Sequence, residues 1–301
     1  MARIHFESVF DPRRVTPVRH DWSSHPLFEL PRLQALGRRL AARGAVRTTS
    51  AQATPDTRFA SAPQTHPARR SPDEILADVE HADAWRALHN VQTDPEYRAL
   101  VDEILDDVRP LVEEKDPGVC YRAGWIFVSS PGAVTPYHID HENNFWLQIR
   151  GKKTARICEP TDASIVSQRS LELFHGKSSR DLVVYDAAFE QRCHAFEAEP
   201  GVGAYLPATA PHWMTNGDAL SIAMSVTYFT DRTRRDELVY RANQALRERG
   251  FSPAPVGSSA VRDAAKRALA RTYWGAKAIA RRALGRDAYW PGAPYAPAPS
   301  P

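Results

Sequence analysis

Two stretches of the chain carry residue types that could hold a divalent metal. In the first, Thr135-Pro136-Tyr137-His138-Ile139-Asp140 sets an imidazole and a carboxylate two positions apart, after a Ser-Ser-Pro-Gly turn. In extended chain, residues i and i+2 leave the same face, so the two groups converge. One histidine and one carboxylate make two thirds of a 2-His-1-carboxylate face, the donor set that leaves positions open on Fe(II). The third ligand is best supplied by His212, where a short strand ending at Pro207 and a turn closing at Pro211 swing a histidine back over a barrel mouth. Of the 11 histidines, His141 abuts the motif but points to the other face, and His175 and His194 fall in a long insertion between core strands. An HxD triplet alone is a weak signal, so its surroundings carry the argument.

Those surroundings change character along the chain. Leu33, Leu36 and Leu40 recur at helical steps within 31–43, and Leu100, Ile104, Val108 and Leu111 do so within 94–113. Between them, 48–71 is rich in Pro and Ser and reads as a loop, and Ser71-Pro72 suits the start of another helix. Residues 1–117 therefore read as a mainly helical region. From 118 to 232 short apolar or alternating runs are broken by Gly, Pro and Asn, the mark of an all-β sandwich or barrel. Strands are expected at 121–129, 144–150, 153–158, 202–205 and 221–229. A helix returns over 233–250, with Leu238, Ala242, Ala245 and Leu246 on one face, and a tail follows over 251–301. A second amphipathic helix is expected in that tail up to about Leu284, ahead of an unstructured Pro-rich end.

The stretch TPYHIDHENNFWLQIRGKK resembles the jumonji-C oxygenases of the cupin-like class, and is closest in motif to the asparaginyl hydroxylase that acts on hypoxia-inducible factor. The parts that match are Thr135-Pro136 before the HxD, Asn144, the ending Gln148-x-x-Gly151-x-Lys153, and Pro207 followed by His212, over roughly residues 121–230. The resemblance implies a double-stranded β-helix, or jelly roll, under a helical N-terminal layer and followed by C-terminal helices. It also implies Fe(II), 2-oxoglutarate as cosubstrate and O2, with succinate and CO2 released as a substrate is hydroxylated. Lys153 then neutralises the far carboxylate of 2-oxoglutarate, Thr135 bonds to it, and Asn144 helps hold it. Thr227 falls where the resembling hydroxylase has an asparagine on the cosubstrate side.

Strand parity agrees with part of this. Lys153, Ala155 and Ile157 alternate with Thr154 and Arg156, so an inward-facing apolar set turns Lys153 inward and Lys152 outward. A buried ammonium is costly unless paired, and a dicarboxylate supplies the pair. Asn144, Trp146 and Gln148 share one face while Phe145, Leu147 and Ile149 take the other, against the helical layer. Trp125, Phe127 and Trp146 are candidates to line the substrate pocket, with plain core as the alternative reading. Trp213 is a candidate platform beside the last ligand, or packing behind it.

Bulk properties exclude little. The 301 residues, 43% hydrophobic and 25% charged, describe an ordinary globular chain. No run approaches the ~20 apolar residues of a membrane span, and the opening lacks a basic-then-apolar leader, so a cytoplasmic location is expected. Cys120, Cys158 and Cys193 form no CxxC and read as reduced thiols. The net +3 is uneven: residues 256–301 hold eight basic and two acidic side chains, a tail that could meet an anionic partner. A homodimer through the C-terminal helices is expected from the resemblance. The rival readings are a non-oxygenase cupin, such as an isomerase or a metal-bound sensing module, and a non-enzymatic protein that binds nucleic acid or membrane through the tail.

Overall fold

The computed structural model describes residues 2–177 and 179–283. Four strands come from the first third: β1 (Ile4–Phe6), β2 (Thr16–His20), β3 (Val46–Ser50) and β4 (Ala84–Leu88). Eight more follow: β5 (Cys120–Ser129), β6 (Val134–His138), β7 (Asn143–Arg150), β8 (Lys153–Ile157), β9 (His194–Ala198), β10 (Val202–Leu206), β11 (His212–Asn216) and β12 (Ser221–Phe229). The helices are α1 (Leu30–Ala41), α2 (Ala62–Thr65), α3 (Pro72–Ala77), α4 (Pro95–Lys115), α5 (Gln168–Lys177), α6 (Asp231–Arg247) and α7 (Ala260–Ala283). The five strands expected from pattern are present as β5, β7, β8, β10 and β12, each within a residue at either end.

The strands form two antiparallel sheets. The larger has the order β1-β2-β10-β7-β12-β5-β4-β3, and the smaller has β6-β11-β8-β9. The fold is thus mainly β, with helices on the outside. The first third is richer in helix than in strand, as its leucine spacing implies, but the mainly helical reading did not include the four strands that widen the large sheet. Their runs are short, and β2, β3 and β4 carry arginine or threonine in place of a clean apolar alternation.

The large sheet is covered on both sides, and the parity of its strands separates two kinds of residue. Phe145, Leu147 and Ile149 of β7 and Met224, Val226 and Tyr228 of β12 pack outward on Leu100, Ile104 and Val108 of α4 and Leu33, Leu36 and Leu40 of α1. Asp94 caps α4 by accepting from the Glu96 amide at 3.2 Å, with Pro95 opening the helix. The alternate residues face the small sheet, where Trp146 and Ala223 meet Ala155, Ile157 and Met214. A tight turn at Gly151 joins β7 to β8 with φ +73°, and a Cβ there would collide with the backbone carbonyl of Leu220. That turn fixes the register in which Lys153 enters the small sheet facing inward.

Two expectations are corrected. The segment read as a loop over 48–71 begins inside β3 and contains α2, and its middle lies over the inter-sheet cavity. Cys158 and Cys193 are disulfide-bonded, with Cα atoms 4.1 Å apart. The antiparallel pairing of β8 with β9 sets Ile157 against His194, so the two cysteines are cross-strand neighbours brought together from 35 residues apart in sequence. Such a pair is invisible to spacing rules; Cys120 alone is free. The stripe of α6 is covered within the chain, with Leu238 and Ala242 packed on Ala270 and Trp274 of α7. The second amphipathic helix expected in the tail up to about Leu284 is present as α7. The Pro-rich end at 290–301 lies outside the described residues. No described helix is long and apolar enough to cross a membrane.

Candidate metal centre

His138 ends β6 and His212 opens β11, and the two strands pair with these residues opposite each other. Cross-strand adjacency brings their rings to a centroid separation of 4.1 Å. Asp140 follows β6 by two residues and turns its Oδ2 to lie 3.7 Å from Nε2 of each histidine. Among the described residues this is the cluster of His, Cys, Asp and Glu able to hold a metal, with its ligand atoms all within 4.8 Å of one another.

Each histidine is oriented from behind. Nδ1 of His138 bonds the Pro136 carbonyl at 2.8 Å, and Nδ1 of His212 bonds the Ala210 carbonyl at 2.9 Å. A backbone carbonyl can only accept, so the proton sits on Nδ1 and Nε2 presents its lone pair to the common point. Asp140 is restrained in the same way. Arg180 donates to its Oδ1 from Nε at 2.9 Å and from Nη2 at 2.6 Å, which leaves Oδ2 as the ligating oxygen. Two imidazole nitrogens and one carboxylate oxygen suit a ferrous ion, whose bonds of about 2.1 Å would hold cis ligands about 3 Å apart. The observed separations require only a small inward shift.

Electrostatics favour the metal-ready protonation states. Burial is the main cause that lowers both imidazoles, and for His138 the neighbouring His212 adds to it. Burial pushes the Asp140 carboxyl up, but the Arg180 guanidinium, followed by the two imidazoles, outweighs it and holds the group below its ordinary range.

The cavity beside the triad has an open volume of about 110 Å³. At ~10–15 Å³ per water position, that is room for a small ligand. Lys153, Thr135, Asn144, Thr227, Trp125, Phe127 and Trp146 all line it. Lys153 is 2% exposed and makes no ion pair among the described residues, and burial lowers its ammonium from 10.5 to about 7. Lys152 faces solvent. Asn144 donates to Ser225 Oγ at 3.1 Å, while its Oδ1, Thr227 Oγ1 and Trp146 Nε1 are buried without a hydrogen-bond partner among the described residues. The Thr135 hydroxyl accepts from Trp85 Nε1 at 2.8 Å.

A β-bulge in β6 reconciles Thr135 with His138. His212 pairs with His138 and Met214 with Thr135, so three steps on one strand oppose two on the other. The extra residue lets two side chains of opposite parity face the same cavity.

Trp213 does not join the site. It points behind the metal face and packs on Tyr185 and Tyr137, at ring separations of 5.4 and 5.8 Å, because neighbours on a strand alternate in direction. The pocket role is withdrawn and the packing role stands. His141 lies 3.2 Å from His175, Nδ1 to Nδ1, and His194 bonds Glu159 at 3.0 Å, all away from the triad.

Sequence reading missed several residues that the fold delivers. Arg180 comes from the insertion between β8 and β9. Phe59, from the Pro-rich segment, stacks on His138 at 3.9 Å and 13°. The insertion and that segment are tied together where Asp181 accepts from the Ala60 amide at 2.6 Å and from Arg58 at 2.5 Å. Arg47, Trp85, His89 and Glu142 also line the cavity, with Met214 and Ser225. The one signal that pointed their way was Arg47 and Trp85 standing within runs of small or apolar residues.

No protein-family model matches the chain, and no curated protein matches it. Solved structures similar to it include a crystal structure of the Escherichia coli ribosomal oxygenase YcfD, at 16% identity and a TM-score of 0.43, covering 90% of this chain and 62% of that one. The chain thus spans under two thirds of that relative's length. A YcfD complex with cobalt and 2-oxoglutarate matches at 18% identity and a TM-score of 0.35, over 64% of this chain and 46% of that one. The DMSP lyase DddQ of Ruegeria pomeroyi matches at 11% and 0.24, over 36% and 38%. All lie below a TM-score of 0.5, so the reading of the site rests on its own geometry.

Proposed function

We propose that the chain is an Fe(II)- and 2-oxoglutarate-dependent oxygenase of the jumonji-C, cupin-like type, a hydroxylase that inserts one atom of O2 into a substrate C–H bond. The observation that carries this is the joint presence, in one cavity, of a three-ligand site and a buried lysine that makes no ion pair among the described residues. The bound metal would supply the oxidising chemistry as 2-oxoglutarate loses CO2 to give succinate. His138, Asp140 and His212 would hold the metal, and Lys153, Asn144 and Thr227 would hold the cosubstrate, with Thr135 beside them. Trp125, Phe127 and Trp146 form the apolar wall that excludes water and faces the substrate.

Strands β5 to β12 divide four and four between the sheets, with β8 and β9 neighbours in the smaller one, and this supports reading 118–232 as a jelly-roll catalytic core with 1–117 and 233–250 as additions around it. A non-oxygenase cupin has no need of an inward lysine, which is why that reading is second. The finer likeness to the asparaginyl hydroxylase rests on the motif alone, since the similar structures named above are of a ribosomal oxygenase and a lyase. A homodimer and a cytoplasmic location belong to the same proposal.

The test is succinate release and O2 uptake with Fe(II) and 2-oxoglutarate, and the visible charge-transfer band of the anaerobic ternary complex. Failure to form that band with iron bound would sink the oxygenase reading in favour of the cupin one.

A further inference from the structure

The cavity contains more positive charge than the metal and cosubstrate roles consume. Arg180 is committed to Asp140 and Lys153 to the far carboxylate of 2-oxoglutarate. Arg47 remains. It lies on β3 opposite Ala87 of β4, lines the cavity, and makes no ion pair among the described residues. Its guanidinium donates from Nη2 to the Phe59 carbonyl and sits 4.5 Å over the Phe59 ring, while its Nε is buried without a hydrogen-bond partner among the described residues.

A second unmatched group stands beside it. His89 follows β4, and its amide bonds the Ala45 carbonyl at 2.9 Å, next to Arg47. Its ring lies 4.2 Å from that of Trp125, and its Nε2 is buried and also without a partner. Burial first, then the charges of Arg47 and Arg180, lowers His89 to about 4, so the ring is neutral at physiological pH and can donate one N–H. Arg47 is half-buried. Although Asp140 and Glu142 also line the cavity, no carboxylate lies within ion-pair distance of Arg47 among the described residues, so a bound anion would offset the desolvation of its buried Nε. Trp125, Phe127 and Phe59 give such an anion an aromatic surround. Phe59 contacts both Arg47 and His138, which puts this subsite one ring away from the metal face.

We propose that Arg47 and His89 form an oxyanion subsite for the primary substrate, which is a small organic molecule bearing a carboxylate or phosphate group. This rests on the oxygenase reading for the word substrate, and on the cavity alone for the subsite. The anion would be held away from the metal by Arg47 as a fork donor, with the apolar body against Trp125.

Calorimetry under nitrogen tests it, on the full chain loaded with Fe(II) and saturated with 2-oxoglutarate, and again without metal or cosubstrate. The probes are acetate, benzoate, phenylacetate and inorganic phosphate, with phenylacetamide as the neutral control. At least one anion should bind tenfold or more tighter than phenylacetamide, and the carboxylate and phosphate arms identify the group. Arg47→Gln should lose at least tenfold for that anion, Arg47→Lys should lose less, and both should keep 2-oxoglutarate affinity within threefold. If Arg47→Gln does not fold, His89→Leu should weaken the same anion at least threefold. Equal binding of anions and amide, or indifference of the tight anion to Arg47→Gln, overturns the proposal. A tenfold loss of 2-oxoglutarate affinity in Arg47→Gln also overturns it, by assigning Arg47 to the cosubstrate. Arg47-dependent anion binding in a chain that releases no succinate would leave the subsite standing and remove the oxygenase reading.

Discussion

Replacing Lys153 with methionine keeps the length of the side chain and removes its charge, and should make the ligand-free protein more stable while destroying its affinity for 2-oxoglutarate. Burial lowers the ammonium from 10.5 to about 7. At about 1.4 kcal/mol per tenfold, that gap is on the order of 5 kcal/mol of lost solvation. Relaxation and water entry reduce the realised cost, and we expect about 1–3 kcal/mol, or about 2–6 °C in Tm for a chain of this size. The sign with pH follows from a folded value below the unfolded one. Above pH 10.5 the lysine is neutral in both states and costs nothing. The cost grows as pH falls from 10.5 to about 7 and is complete below 7. The stabilisation by Lys153→Met should therefore be greatest at pH 7 and below and fade toward pH 10.5.

Binding runs the other way, because a bound dicarboxylate keeps the lysine charged. Its loss should raise the Kd for 2-oxoglutarate about 100-fold, at ~3 kcal/mol for a broken buried pair. In the wild-type chain the affinity should fall about tenfold per pH unit above 7. Thermal melts over a pH series and anaerobic calorimetry with Fe(II) give both numbers. Lys152→Met, on the solvent side, should move neither by more than about 0.5 kcal/mol. An unchanged Tm together with a Kd within threefold would refute the role of Lys153, and equal effects from the two lysines would refute the register of β8.

His138→Ala, Asp140→Ala and His212→Ala should each lose bound iron with the fold retained by circular dichroism, whereas His175→Ala and His194→Ala keep it; metal analysis decides. Arg180→Leu should weaken iron about 10–100-fold. It also removes the main charge that holds Asp140 low, so metal should be lost at a higher pH on acidification than in the wild type. Cys193→Ser opens the loop closed by Cys158 and should cost about 3–4 kcal/mol in thermal melts. Thiol titration of the oxidised, unfolded chain should find Cys120 alone, and three free thiols would refute the bond. Light scattering on the full chain and on one ending at Pro253 should show a dimer that the shorter chain loses.

The sequence carried the inner half of this site well and the outer half poorly, for a physical reason. His138, Lys153, Asn144 and Thr227 lie on strands whose alternation can be read directly, Asp140 follows two residues after the end of β6, and the structure places all of them in one cavity. His212 needed only the assumption that a turn returns the chain to its neighbour. Thr135 and His138 have opposite parity and share a face only because of the bulge in β6, which no periodicity announces. Arg47, Phe59, His89 and Arg180 come from elements distant in sequence, placed by sheet order and loop packing. The disulfide escaped for the same reason, since the register of β8 on β9 brings its cysteines together.

The fork from Arg180 to Asp140 bears on which metal the site takes. A carboxylate pinned by one oxygen cannot clasp a large hard ion, so calcium, which collects six to eight oxygen ligands, is disfavoured, and two imidazoles disfavour magnesium. Nothing in that donor set favours iron over its heavier neighbours: the natural order of affinity rises from Fe(II) through Co(II) and Ni(II) to Cu(II), with Zn(II) also above iron. Occupancy is therefore set by supply. Chain purified over nickel resin or from zinc-rich medium should emerge with the wrong ion in the right place, folded and inert, until a chelator strips it and ferrous iron is returned without air.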